Sequence, residues 1–136
     1  MPRQPLFDIM SINPLKQGAF TMLLITVVSL VCFLFHIRSM QAWDMILSPI
    51  FLFSSYNPII GAFQQKWGRY LAVSALVFMV LAMYIYISGN FVSQYSYRES
   101  DELHRFTALA IIFYFLLNLL CIMFRGVLYM LDTIDE

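Results

Sequence analysis

Two histidines, two cysteines and one short run of carboxylates are the residues of this chain whose types could do chemistry. His36 and His104 fall at the ends of two long apolar stretches, and a four-span reading puts both on the same membrane face. Two imidazoles from two helices can ligate a b-type haem or help hold a metal ion. They can also sense pH. Against this, each lies beside an arginine (Arg38, Arg105), as interfacial polar residues often do, and no Met-rich or carboxylate cluster accompanies them. The simpler expectation is therefore no cofactor, with haem at His36 and His104 as the alternative to test.

Cys32 and Cys121 have no CxxC neighbour, which removes support for redox catalysis and thiolate zinc sites. Helix arithmetic places them at depths differing by about 15 Å, at ~1.5 Å per residue, so they should not pair. Both read as small packing residues. The segment 90–104 carries Arg98, Glu99, Asp101, Glu102 and His104, types that bind divalent metals or move protons. It reads more simply as a helix start, with Ser100 as cap and Asp101 and Glu102 favoured by the helix dipole.

No nucleotide-binding loop, HExxH motif or GxSxG elbow is present, and the Gly61 to Gly68 stretch lacks Walker spacing. The residues give no support for an enzyme.

The elements that must position these groups follow from composition. The chain has 136 residues, 61% of them hydrophobic and 12% charged. Soluble domains are nearer 45–50% and about 25%. The mean hydropathy is +0.76. Eight basic residues balance eight acidic ones, which leaves no basic surface for nucleic acid.

Four stretches lack Asp, Glu, Lys and Arg: 17–37, 45–65, 70–97 and 106–124. Each reaches the roughly 20 residues that cross a hydrocarbon core of about 30 Å. Helices are expected at about 18–37, 44–63, 69–89 and 105–130, forming one all-α membrane domain. Short turns imply an antiparallel up-down bundle. Uniformly apolar segments such as Leu71 to Ile87 argue against a barrel's alternation. Residues 1–17 are expected to lie along the membrane surface or against a partner, and the acidic tail 131–136 to fray. The first span is too long for a cleaved signal peptide and lacks a small-x-small site, so it reads as a retained anchor.

The second span should be kinked or broken near Pro58, which frees the carbonyl around Ser54. Ser54, Ser55 and Asn57 are expected to help satisfy the freed groups. A re-entrant second segment is the topological alternative. Asn118, in mid-span, is expected to bond across a helix interface.

The basic residues Arg3, Lys16, Lys66, Arg69 and Arg125 fall on the N-terminal side, here called end A; Arg38, Arg98 and Arg105 fall at end B. The bias favours end A, with both termini, in the cytoplasm or its equivalent. Trp43, Trp67, Tyr70, Tyr95, Tyr97 and Tyr129 read as interfacial rings.

No Asp, Glu or Lys lies deep in a span, which removes the usual coupling group of a transporter, pump or voltage sensor. The expected function is a non-catalytic accessory or scaffold subunit of a respiratory, secretion or transport assembly, with the bilayer and other membrane subunits as partners. The alternative is a small oligomeric transporter or channel with a path near Asn57 and Pro58. A haem-binding anchor is the third reading.

Overall fold

The computed structural model describes residues 13–134. The expected surface placement of 1–17 lies mostly outside those residues. Four helices follow one another: α1 (Pro14–Leu34), α2 (Ser39–Ala62), α3 (Trp67–Ser93) and α4 (Asp101–Ile134), with a 3-10 turn at Tyr97–Glu99 before the last. No strand occurs among the described residues. All four helices are long and apolar enough to cross a membrane, as in a multi-pass membrane protein.

Each helix outruns its charge gap at one end or both, and side-chain caps mark the starts of α1 and α4. Asn13 caps α1, its Oδ1 accepting from the Leu15 N–H at 3.1 Å, and Pro14 occupies the first helical position, where its missing N–H costs nothing. Residues 14–17 are therefore helical. The end of α1 is a Schellman turn: the Ile37 N–H bonds the Cys32 carbonyl at 2.9 Å and the His36 N–H bonds that of Phe33 at 3.3 Å. Gln94 stops α3 with a left-handed φ of 55°. Ser100 caps α4 as its spacing suggested, its Oγ accepting from the Leu103 N–H at 3.2 Å. The last helix continues to Ile134, so only 135–136 of the acidic tail lie outside the described residues.

The second helix is the least apolar of the four and the most deeply packed. Eleven of its 24 residues are buried, against four of 34 in α4. This inversion suits a hydrocarbon solvent, where polar side chains gain by facing protein. α2 packs on α1, α3 and α4, and α1 also packs on α3. Buried positions on α3 recur every four or three residues, from Tyr70 and Ser74 through Phe78, Leu81 and Ile85 to Gly89 and Val92, forming one seam.

α2 is one continuous helix across both Pro49 and Pro58. Pro49 removes the N–H that would have reached the Met45 carbonyl, and the Ser48 hydroxyl takes its place at 2.8 Å. Around Pro58 the expected compensation is arranged differently. Ser54 and Ser55 donate to the Ile50 and Phe51 carbonyls, each at 2.7 Å, and Asn57 turns to other helices.

Small residues allow close approach. A Cβ added at Gly89 would lie 2.1 Å from the Trp43 indole, and one at Gly18 would lie 2.3 Å from Val77. Trp43 is thus buried at the α2–α3 seam rather than spread along an interface, its Nε1 donating to the Tyr95 carbonyl at 3.2 Å.

Candidate functional site

The residues that could act together lie toward end A, in a buried polar cluster to which all four helices contribute. Its members are Gln17 and Thr21 from α1, Asn57 from α2, Tyr70 and Ser74 from α3, and Tyr114 from α4. Each is at most 8% exposed. Polar side chains in so apolar an interior persist only if they satisfy one another.

Proton bookkeeping gives the cluster a direction. The Ser74 hydroxyl donates its one proton to Asn57 Oδ1 in a short bond. Tyr114 must therefore be the donor in its 2.7 Å bond to Ser74. Asn57 Nδ2 donates to Gln17 Oε1 at 2.6 Å, and Gln17 Nε2 donates to the Tyr70 hydroxyl at 2.7 Å. Tyr70 then donates to the backbone carbonyl of Asn57 at 3.2 Å. The chain thus runs from α4 through α3 to α2 and α1, then back to α3 and α2.

Packing fixes these groups. The Tyr114 ring stacks on Phe78 at 4.3 Å between centroids, and a second aromatic, Phe53, flanks it at 6.4 Å. Gly61 makes room for the Tyr70 ring, since a Cβ there would come within 2.7 Å of it. Thr21 bonds the Gln17 carbonyl at 2.9 Å and meets the Tyr56 hydroxyl at 3.3 Å, extending the cluster along α1. The cluster contains no carboxylate, ammonium, guanidinium or imidazole. It can hold helices in register, and it offers no nucleophile paired with a base.

The residues singled out by sequence part company here. Asn57 is at the centre of the cluster, and Pro58 is the buried residue after it. Asn118 is also buried, but its amide donates to the Tyr114 carbonyl at 2.8 Å, within its own helix. It supports the helix that carries Tyr114 instead of bridging to another.

His36 serves as the left-handed residue that ends α1, with φ 54°. His104 lies in the first turn of α4, edge-on to the Tyr97 ring at 4.8 Å. Among the described residues α1 and α4 share no extensive seam that would bring the two imidazoles together. Among the described residues no group of three His, Cys, Asp or Glu could hold a metal ion. Cys32 and Cys121 are both free thiols. Replacing His36 by glycine should relieve the left-handed strain and raise stability by about 1 kcal/mol, a shift readable in reversible unfolding in micelles.

Sequence reasoning missed the roles of Gln17, Thr21, Tyr70 and Tyr114. Gln17 and Tyr70 stand beside Lys16 and Arg69 and so looked interfacial. A signal was present, however. Three helices carry a polar pair four residues apart: Gln17 with Thr21, Tyr70 with Ser74, and Tyr114 with Asn118. Such pairs share one helix face.

By sequence, Arg125 is an end-A charge in the last turns of the fourth helix, from which it can snorkel outward. Instead its Nη1 bonds the Ala62 carbonyl at 2.9 Å and that of Gln64, with the guanidinium 5.9 Å from the Trp67 ring. It thereby caps the end of α2 and ties α4 to the α2–α3 turn.

An apolar cleft of about 140 Å³ opens at the other end, among α2, α3 and α4. Trp43, Leu47, Phe78, Ile85, Tyr97 and Ala110 are among its walls, and no charged residue lines it. The chain matches no protein-family model, no curated protein and no solved structure.

Proposed function

We propose that this protein is a non-catalytic subunit of a larger membrane assembly, acting through contact with other membrane proteins. In this reading the four helices form an antiparallel up-down transmembrane bundle. Both termini lie on the end-A side, in the cytoplasm or its equivalent.

The observation that carries the proposal is the use made of the interior polar groups. The bonds of the polar cluster run mainly between its own members and join four helices. A transport path needs polar groups that can exchange partners with a substrate, and commonly an ionisable one. The place where such a path was expected, beside Asn57 and Pro58, is occupied by helix-to-helix bonds. α4 adds support from outside the core. It has 34 residues, and its apolar surface includes the exposed Phe115, Leu119, Met123, Phe124, Val127 and Tyr129. Aromatic and methionine side chains make adaptable contact surfaces.

The test is purification from the native membrane in mild detergent, with mass determination of the particle and identification of its components. Stoichiometric unrelated subunits are the expected result. A homogeneous self-oligomer would overturn the proposal in favour of a transporter or channel. A Soret band in the folded preparation would favour the haem anchor using His36 and His104.

A further inference from the structure

A second feature of end A adjoins the polar cluster, with Tyr70 belonging to both. Between the starts of α1 and α3 lies a hollow of about 290 Å³ whose walls include Asn13, Gln64, Lys66 and Arg69. Leu15 and Val73 form its floor and also belong to a second, almost wholly apolar groove of about 310 Å³. That groove descends along the α1–α3 seam past Gly18, Ala19 and Val77 to Val80. The two are therefore continuous: a cationic mouth at the helix ends and a hydrocarbon trough running into the span.

The electrostatics of the mouth have one sign. Lys66 and Arg69 are exposed and make no ion pair among the described residues. Neither α1 nor α3 has an acidic residue in its first turn, and α3 has no side-chain cap. Both helices thus point the positive ends of their dipoles toward this end, where Lys16 adds another charge. Four of the five described carboxylates, Asp44, Glu99, Asp101 and Glu102, belong to end B; Asp132, beyond Arg125 on α4, is the fifth.

We propose that this composite groove binds one anionic glycerophospholipid. Its phosphate lies between Lys66, Arg69 and the start of α3, and one acyl chain follows Ala19 and Val77 down the seam. Charge complementarity selects the occupant. A second copy of the chain seated here through the same end would bring the same uncompensated cations. A neutral apolar helix would fill the trough and leave the mouth unanswered. A phospholipid supplies both halves in one molecule, at the depth where phosphate and hydrocarbon meet.

The test is native mass spectrometry of the full chain in mild detergent, titrated with phosphatidylglycerol or phosphatidylcholine bearing identical acyl chains. Phosphatidylglycerol should bind about tenfold or more tightly than phosphatidylcholine, since basic residues near a membrane surface favour anionic lipid additively. The double variant Lys66→Gln/Arg69→Gln should abolish that preference. Ala19→Trp, which fills the trough from an exposed position, should weaken both lipids. Arg98→Gln/Arg105→Gln, at the other end, should leave the preference intact.

Equal binding of the two lipids by the native chain would overturn the proposal. So would a preference that survives loss of Lys66 and Arg69. Displacement of phosphatidylglycerol by inorganic phosphate alone would show an anion site without use of the trough, and would also overturn it. All five substituted positions are exposed, and circular dichroism on each variant verifies that its helices are retained.

Discussion

Asn57→Leu should destabilise the protein by about 2–4 kcal/mol, the largest effect of any single polar substitution in the chain. The amide donates to Gln17 and Tyr70, and its oxygen accepts the Ser74 proton. Single interhelical polar bonds in membranes average about 0.6 kcal/mol and reach about 1.7. Here one substitution leaves partners on two helices without their bonds, and a buried polar group stranded in this way costs about 1–3 kcal/mol. Some rearrangement of Gln17 and Ser74 brings the sum into the stated range. Tyr114→Phe removes only the first donor of the chain and should cost about 1 kcal/mol. Reversible unfolding in mixed micelles, followed by circular dichroism, measures both. Equal effects would mean that the bonds act singly, with no shared centre at Asn57.

The second large effect concerns Trp43 and Gly89, which meet edge to backbone at the α2–α3 seam. Trp43→Ala should cost about 3–5 kcal/mol, as expected for a large aromatic that is 1% exposed. Gly89→Leu should cost about 3 kcal/mol or more by overpacking, because even a Cβ would lie 2.1 Å from the indole. The double variant should be less destabilised than the sum of the two by at least about 1 kcal/mol, since the leucine can enter the space the indole leaves. The same unfolding assay on all four chains closes the cycle. Strict additivity would show that the two residues do not share that space.

The charge gaps were enough to reveal four helices of membrane length, because the penalty for burying a charge in hydrocarbon is large and local. The same reasoning mis-set the ends. The helices begin at Pro14, Ser39, Trp67 and Asp101, ahead of the expected starts at about 18, 44, 69 and 105. Caps such as Asn13 and Ser100 carry the boundary information, and only Ser100 was read in that role.

The aromatic residues at span ends were ambiguous for a different reason. A ring suited to an interface is equally suited to a seam when a glycine faces it, and Gly61 and Gly89 take Tyr70 and Trp43 inside. Which residue faces the glycine depends on helix rotation, a property of the packed structure. Asn57 was legible because an amide deep in a span has few ways to be satisfied. Its partners were not legible, because serine and tyrosine hydroxyls are individually unremarkable in apolar helices.

The position of α2 sets an order for assembly. As the chain is made, this least apolar helix follows α1 and precedes the other two helices that will cover it. In that interval Gln17 and Thr21 are the cluster members outside α2 already made, with Asn57 and Tyr56 of α2 as their partners. Tyr70 and Ser74 arrive next and complete the answer to the amide. Tyr114 comes last, supplying the proton that Ser74 accepts. In chain order, each helix adds partners to polar groups carried by the helices before it.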